Sequence, residues 1–370
     1  MPIRVATFNV ENLFARPLAM NLPDWSEGQP VLDDNARMTL LLNKETYTDA
    51  DKTAILSLMN KYGLDSARPK NRFLELRQIR GKLLQRHKDK PAEVIAKGRA
   101  DWVGWVELKK DAIEDAAIKN TARVIADVNP DVIVMVEVES RPALLRFHDQ
   151  VLRPVMEKQG KKPYGHIMVI DGNDIRGIDV GIMSRYPIRE MVSHVDDPAP
   201  RGGRVFSRDC PEYSVCLDDG RELVILPNHF ASKGSDPDGD RRKVQSAAVR
   251  TIYENLAKAG KRVIVAGDFN DYPEGGSLDA LLQNTNLKDA MSLPAYKGKY
   301  PGTYQHATAK EKIDYLLFSP SLAGKVTAVD VNRKGFYAPT KWDSYENINR
   351  DTKDRFQASD HHCLWADINL

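Results

Sequence analysis

Short apolar runs recur along the chain, and each carries polar residues at one end or within it. The runs span about four to eight apolar positions and are rich in valine and isoleucine, which predicts strands buried on both faces rather than helices. The seven runs are VATFNVEN (5–12), DVIVMVEVES (131–140), GIDVGIM (177–183), LVILPNHF (223–230), VIVAGDFND (263–271), KIDYLLFS (312–319) and ASDHHCLWADI (358–368).

Helical periodicity appears between several of these runs. Residues 111–128 place apolar side chains near one stripe before Asn129-Pro130 ends the pattern, and residues 240–260 do the same before Gly260. Strands mixed with helices favour a layered α/β architecture whose core is either two packed sheets or one large sheet.

Residues 16–110 interrupt this rhythm and form a long insertion after the first strand. Within it, residues 71–87 set Phe73, Leu76, Ile79, Leu83 and Leu84 on one face and predict a helix. Residues 61–100 carry 12 Lys+Arg against 4 Asp+Glu, a local charge of +8. This basic segment suits a polyanionic substrate, or it is simply a solvated helix docked by its apolar face.

Overall composition adds few constraints. The 370 residues carry 54 Lys+Arg and 52 Asp+Glu, and this net charge of +2 gives no whole-chain signal for nucleic acid or membrane. Cys210, Cys216 and Cys363 are widely spaced, which fits a reducing compartment. The N-terminus lacks the apolar core of a signal peptide, and no run approaches the ~18 apolar residues of a membrane span. We therefore expect a soluble, cytoplasmic protein, or a secreted one if a leader was removed.

The polar residues at the strand ends are the strongest chemical signal. Burying an unpaired carboxylate or histidine is costly, so these groups are expected to pair or to bind metal, and in α/β sheets ligands gather where strands end. If the strand ends converge, the cluster contains Asn9, Glu11, Glu137, Glu139, Asp179, His229, Asp268, Asn270, Asp314, Asp360 and His361.

This set is rich in oxygen donors and free of thiols, which favours Mg²⁺ or Mn²⁺, with Ca²⁺ as an alternative, over zinc. Histidine titrates near neutrality, and a neighbouring carboxylate such as Asp314 or Asp179 would fix its tautomer. Metal, amide and imidazolium groups together suit hydrolysis of a phosphoric ester, which needs charge neutralisation, an aligned water and a stabilised leaving oxygen.

The ordered motifs TFNVENLF, PDVIVMVEVE, RGIDVGIMSRYPI, NHFASKG, GDFNDYP, KIDYLLF and SDHH resemble the endonuclease/exonuclease/phosphatase superfamily. The RGID motif is similar to that of its bacterial extracellular-nuclease-like members. The resemblance implies a single domain over residues 1–370, built as a four-layer α/β/β/α sandwich of two packed mixed sheets flanked by helices, with residues 16–110 as an atypical insertion.

The resemblance also assigns roles to residues at matching positions. It implies metal ligands at Glu137 and Asn9, with Asp360 and Glu11 as further candidates, and phosphate contacts at Arg176, Ser232 and Lys233. The catalytic groups that it implies are His229, Asp268, Asn270, Asp314, His361 and Asp179.

Several functions remain open at this point. The motifs and the basic insertion together predict a metal-dependent DNA nuclease that attacks phosphodiesters with an in-line water and leaves 5′-phosphate and 3′-hydroxyl ends, with RNA as a further substrate. The alternatives are a phosphatase or phosphodiesterase acting on lipid or sugar phosphates, and an inactive nucleic-acid-binding module. Trp102, Trp105 and Trp342 fit either base stacking or ordinary packing.

Overall fold

A computed structural model describes residues 2–13, 17–20, 25–66, 68–87, 90–109, 115–174 and 177–370. Its internal contacts divide the chain into two compact units. The main unit contains residues 1–14 and 113–370, and the second unit contains residues 15–112. This division falls close to the insertion predicted at residues 16–110.

The strands, in chain order, are β1 (Ile3–Leu13), β2 (Leu74–Arg80), β3 (Leu84–Gln85), β4 (Glu93–Val94), β5 (Val103–Leu108), β6 (Val132–Val138), β7 (His166–Val169), β8 (Asp179–Ser184), β9 (Ile188–Val192), β10 (Glu212–Cys216), β11 (Glu222–His229), β12 (Val263–Asp268), β13 (Lys288–Asp289), β14 (Asp314–Phe318), β15 (Val326–Asn332) and β16 (Cys363–Ile368). All seven apolar runs form strands, as predicted.

The α-helices are α1 (Trp25–Leu42), α2 (Asp49–Lys61), α3 (Asp115–Val128), α4 (Arg141–Phe147), α5 (Arg153–Lys158), α6 (Asp240–Lys258), α7 (Asp279–Leu282), α8 (Pro320–Ala323) and α9 (Lys353–Phe356). A π-helical turn, His148–Leu152, joins α4 to α5. Helix α3 confirms the described part of the helix predicted at 111–128. Helix α6 confirms the one predicted at 240–260, with Gly260 at a φ of 73° just beyond its end.

Two six-stranded sheets build the main unit. The first has the strand order β15-β16-β1-β6-β8-β7, and the second has the order β13-β14-β12-β11-β10-β9. Both sheets are mixed, because β1 and β6 pair in parallel, as do β11 and β12, whereas their other neighbours pair antiparallel. The predicted fold class is confirmed.

Alternation along the strands explains the layered packing. In β6, Val132, Val134 and Val136 pack in the core shared with the second sheet, whereas Ile133 and Met135 pack on the opposite face against α3. Strand β12 shows the same alternation, since Ile264 belongs to the shared core and Val265 packs with residues of α6. Full burial of such a side chain contributes roughly 1.5–3 kcal/mol, so both faces of each sheet must be covered.

The second unit contains α1, α2 and two small two-stranded sheets, β2-β5 and β3-β4. The helix predicted over residues 71–87 is wrong, because this segment forms β2 and β3. Leu74 and Leu76 alternate with polar residues and fit a strand as well as they fit a helical stripe, and Ile79 is 68% exposed instead of lying on a buried face. Gly81, at a φ of 70°, then lets the chain turn between the two strands.

The helices of the described residues include none that is long and apolar enough to cross a membrane. The three cysteines are buried and form no disulfide.

Candidate active site

Strand pairing in the second sheet aligns three of the predicted catalytic residues. His229 is opposite Asp268 in the parallel β11–β12 pair, and Asp268 is opposite Asp314 in the antiparallel β12–β14 pair. All three side chains are buried, and Asp314 is fully buried. The central position of Asp268 therefore follows from strand register.

Asn9 links this row to the first sheet. Its Nδ2 donates to Glu137 Oε1 at 3.3 Å and to Asp268 Oδ2 at 3.2 Å, while its Oδ1 accepts the Glu11 amide at 3.1 Å. Glu11 and Glu137 have φ values of 51° and 64°, in the left-handed region that non-glycine residues rarely adopt. Irregular register after Asn9 in β1 and after Val136 in β6 accompanies these conformations.

Asp314 and His361 form a buried pair. The Nδ1 of His361 lies 2.9 Å from Asp314 Oδ2, and its Nε2 lies 3.8 Å from Asp268 Oδ2. Burial alone would lower the pKa of His361, but the charges of Asp314 and Asp268 raise it well above its ordinary value. This shift favours the protonated ring, whose Nδ1 faces the Asp314 carboxylate and whose Nε2 is directed toward Asp268.

Backbone and hydroxyl groups hold this pair in place. The Oγ of Ser359 accepts the His361 amide at 3.0 Å and donates to the Asn9 carbonyl at 2.8 Å. Thr303 Oγ1 accepts the Asp314 amide at 2.9 Å, and the ring of Tyr304 lies 4.8 Å from that of His361. The site is thus preorganised by hydrogen bonds that span distant parts of the chain.

The GDFN turn orients Asp268. The Asn270 amide donates to Asp268 Oδ1 at 2.8 Å, and Asn270 Nδ2 donates to the Phe230 carbonyl at 3.1 Å. Phe269 stacks between Phe230 and Tyr315, with ring centroids 4.8 and 4.9 Å apart. Packing of Phe269 therefore fixes Asp268 and Asn270, which flank it in the chain.

Carboxylates crowd around His229 at the centre of the site. His229 Nε2 lies 3.9 Å from Glu137 Oε1 and 3.7 Å from Asp268 Oδ2, beyond hydrogen-bond range. Burial and the charges of Asp314 and Glu137 raise the pKa of Asp268 to about 7, although His361 opposes this effect. The carboxylates of Glu137 and Asp268 both lie within 3.9 Å of His229 Nε2, so additional positive charge beside them would be stabilised.

The remaining predicted residues have different surroundings. The Asp360 amide donates to Glu11 Oε2 at 3.2 Å, and Asp360 Oδ1 lies 4.0 Å from His361 Nε2. Asp179 is opposite Val138 and accepts the Gly172 amide at 2.8 Å, so its support of His229 stays a prediction.

The predicted phosphate-binding residues lie largely in one exposed loop. Ser232 Oγ lies 3.1 Å from Ser235 Oγ, and Lys233 pairs with Asp271 at 2.9 Å. Arg176 lies outside the described residues. The proposed phosphate contacts of all three stay predictions.

Two buried arginines beneath the site were not predicted. Arg208 Nε lies 3.0 Å from Asp174 Oδ2, and its Nη1 donates to the Phe230 carbonyl at 3.4 Å. Arg242 Nη1 donates to the Ala231 carbonyl at 3.2 Å. They fix the backbone that follows His229.

The sequence contains a usable signal for one of these arginines. Arg242 shares a helical stripe with Gln245 and Val249, all buried on one side of α6, so periodicity could have placed it inward. Arg208 lies in the irregular segment between β9 and β10, where no periodic pattern indicates burial.

A family model described as the Endonuclease/Exonuclease/phosphatase family matches residues 110–361. The chain belongs to this family. None of the curated proteins compared matches it significantly. The resemblance predicted from the seven motifs is confirmed for the endonuclease/exonuclease/phosphatase family as a whole, and the narrower bacterial extracellular branch stays a prediction.

Comparison with solved structures finds similar chains at low identity. A mannosyl-6-phosphatase of Bacteroides thetaiotaomicron is 17% identical with a TM-score of 0.50, and the match covers 69% of this chain and 91% of that one. Truncated TDP2 of Caenorhabditis elegans is 18% identical with a TM-score of 0.45, covering 69% and 90%. The human Nocturnin catalytic domain with a bound sulfate anion is 16% identical with a TM-score of 0.47, covering 70% and 88%.

Members of the endonuclease/exonuclease/phosphatase family hydrolyse phosphoric esters and generally use divalent metals. Asp268, Asp314 and His361 are buried and offer ligand atoms within 4.8 Å of one another. His361 and Asp314 also pair with each other at 2.9 Å, and their roles in catalysis stay predictions. Asp314 Oδ1 makes no hydrogen bond among the described residues, a further excess of negative charge that fits a nearby cation.

Proposed function

We propose that the protein is a divalent-metal-dependent phosphodiesterase that cleaves DNA by in-line attack of water. The observation that supports it is the close approach of His229 to Glu137 and Asp268, beside the Asp314–His361 pair. The carboxylates of Glu137 and Asp268 suit a metal ion, and the protonated ring of His361 suits a phosphate oxygen. Both are needed to neutralise a reacting phosphodiester.

Glu137 and Asn9 would hold the ion, with Asp268 beside them. When bound, Mg²⁺ or Mn²⁺ would supply positive charge to the phosphate and the leaving oxygen. Oxygen donors dominate this set, which fits these hard cations; Ca²⁺ is the alternative. Asp360 and Glu11 are joined by a hydrogen bond and are candidates for a second ion.

Side chains of the protein perform the remaining steps of the proposed reaction. His361, held by Asp314, donates its Nε2–H to a non-bridging phosphate oxygen. Asp268, oriented by the Asn270 amide, accepts a proton from the attacking water. His229, on the other side of Asp268, donates a proton to the leaving oxygen.

DNA is proposed as the substrate because residues 61–100 carry a net charge of +8, whereas the rest of the chain carries −6. A concentrated positive charge attracts polyanions more strongly than it attracts small phosphate esters. RNA would share this attraction.

The test is a substrate panel with the full-length chain. Supercoiled plasmid, single-stranded DNA, RNA, bis-p-nitrophenyl phosphate and sugar or inositol phosphates are each incubated with Mg²⁺, Mn²⁺ or chelator. We expect nicking of plasmid that requires metal and is lost in Glu137→Ala and His229→Ala. Turnover of small phosphomonoesters without cleavage of nucleic acid would replace the nuclease with a phosphatase.

A further inference from the structure

The ribbon formed by β2 and β5 has two different faces. In this antiparallel pair Arg77 is directly opposite Trp105, and Leu76 is directly opposite Val106. Opposite residues share a face, and successive residues alternate between faces. Val106 is buried in the second unit, whereas Arg77 and Trp105 are exposed on the other side. This exposed side is the ribbon face.

Trp105 packs much less completely than the core tryptophan of this unit. Trp102, three residues earlier, is 1% exposed and donates its Nε1–H to Tyr47 Oη at 3.0 Å, as a core tryptophan should. Trp105 remains 45% exposed and Ile79 remains 68% exposed. The register shift between Gln78 and Arg80 leaves Ile79 as an extra residue in the ribbon. The ribbon thus leaves Trp105 of β5 and Ile79, at the bulge of β2, exposed.

Two arginines of β2, Arg77 and Arg80, share the face of Trp105. Arg77 is held across the ribbon by Glu107 at 2.8 Å and along its own strand by Glu75 at 3.1 Å. Arg80, which is opposite Val103, is exposed, and Arg72 lies 5.1 Å above the ring of Phe73. The two glutamates orient Arg77, and Arg72 packs on Phe73, whereas Arg80 is exposed to solvent.

We infer that the ribbon face binds a strand of nucleic acid, with a base stacked on Trp105 and a phosphate contacted by Arg80. A flat aromatic ring among cations is the arrangement by which proteins bind single strands without sequence preference. Guanidinium groups supply the phosphate contacts that set affinity and its salt dependence. The inference rests on the proposed function, because it identifies the surface that recruits the polyanionic substrate.

Binding is measured with the full-length chain in chelator, so that no cleavage occurs. A fluorescein-labelled oligothymidine is titrated and its anisotropy is recorded at several salt concentrations. Trp105→Ala should weaken binding by at least about 5-fold, whereas Trp105→Phe should restore most of the loss. Arg80→Glu, at an exposed position, should also flatten the dependence of log Kd on log salt by about 0.7, the slope that one neutralised phosphate of a single strand contributes.

Strand β9 offers a matched control. It exposes Arg189 and Met191 on the surface of the main unit. Arg189→Ala/Met191→Ala removes the same kinds of side chain from another exposed strand and should leave DNA binding unchanged.

The inference is overturned if Trp105→Ala and Arg80→Glu bind DNA as tightly as the β9 control does. It is also overturned if the wild type self-associates by sedimentation and Trp105→Ala abolishes that association without changing DNA binding, since the ribbon face would then serve a second copy. Turnover of bis-p-nitrophenyl phosphate by the wild type separates the two proposals. If the wild type hydrolyses the ester but the ribbon variants bind DNA normally, only the ribbon inference is wrong. If the ribbon variants lose DNA binding but the wild type hydrolyses no ester, only the proposed function is wrong.

Discussion

The buried cluster around Asp268 and the ribbon face are both rich in charge, but their side chains are held in different ways. In the cluster, Asn9 bonds two carboxylates from different sheets, and His361 is fixed by Asp314. On the ribbon face, Arg77 pairs with glutamates in water. Buried partners depend on one another, because removing one leaves the other desolvated and uncompensated. When one exposed partner is removed, water can replace it. The effects of such substitutions on stability should therefore be small and independent of one another.

This contrast predicts that, among the variants considered, His361→Ala causes the largest loss of hydrolytic activity. Removing the imidazolium leaves the phosphate without its main donor from the chain and leaves Asp314 buried without a partner. We expect the turnover of bis-p-nitrophenyl phosphate to fall by about 10³- to 10⁴-fold. The measurement is kcat at saturating Mg²⁺. His166→Ala, at a partly exposed position in β7, is the matched control and should retain activity; equal activity of the two variants would remove His361 from the mechanism.

Asp314→Asn should lower kcat by about 10²- to 10³-fold, because the amide no longer stabilises the imidazolium or fixes its donor atom. The two residues act as one unit, so the double variant Asp314→Asn/His361→Ala should be no slower than His361→Ala alone. Circular dichroism checks that the variants fold. Additive losses would show that Asp314 has a role separate from His361.

The motifs at strand ends allowed most of this cluster to be predicted from sequence, because strand register leaves little freedom. Once β12 pairs with β11 and β14, Asp268 must lie beside His229 and Asp314. The ribbon could not be predicted in the same way. Phe73, Leu76 and Ile79 fit a helical stripe, and Leu74 and Leu76 fit an alternating strand, so periodicity could not decide between them. Pairing with the distant β5 decided it.

Arg208 was beyond prediction for a related reason. It is buried through a partner in another loop, Asp174, and no local pattern signals a contact between two irregular segments. Removing Arg208 tests, through the stability of the protein, the same difference between buried and exposed ion pairs. Arg208→Ala leaves Asp174 buried without this cation and should lower the free energy of unfolding by about 3 kcal/mol in urea denaturation. Arg208→Lys, which keeps the charge, should recover part of the loss. A loss below about 1 kcal/mol would place this pair with the exposed ones.

A buried carboxyl should also make stability depend on pH. Burial, together with the charges of Asp171 and Asp174, raises the pKa of Asp179 from 3.8 to about 7, although the Gly172 amide and Arg208 oppose the shift. Between about pH 4 and pH 7 the unfolded chain loses this proton while the folded chain keeps it, so stability falls as pH rises through this window. Asp179→Asn cannot ionise. Relative to this variant, the wild type should lose on the order of 2 kcal/mol between pH 4.5 and pH 7.5 in urea denaturation. Parallel curves for the two proteins would mean that Asp179 is ionised in the fold.

Arg77→Ala should have the smallest effect, and it tests the exposed side of the comparison. Arg77 bonds Glu75 and Glu107, yet its side chain is 47% exposed, so water can replace both partners when it is removed. The urea midpoint should therefore match that of the wild type within reproducibility, and any difference should vanish in about 0.5 M salt, where surface charges are screened. A clear, salt-resistant loss of stability would show that the ion pairs of the ribbon behave like those of the buried cluster. The glutamates would then serve to hold the ribbon together, and Arg77 would be a structural residue and not a displayed cation.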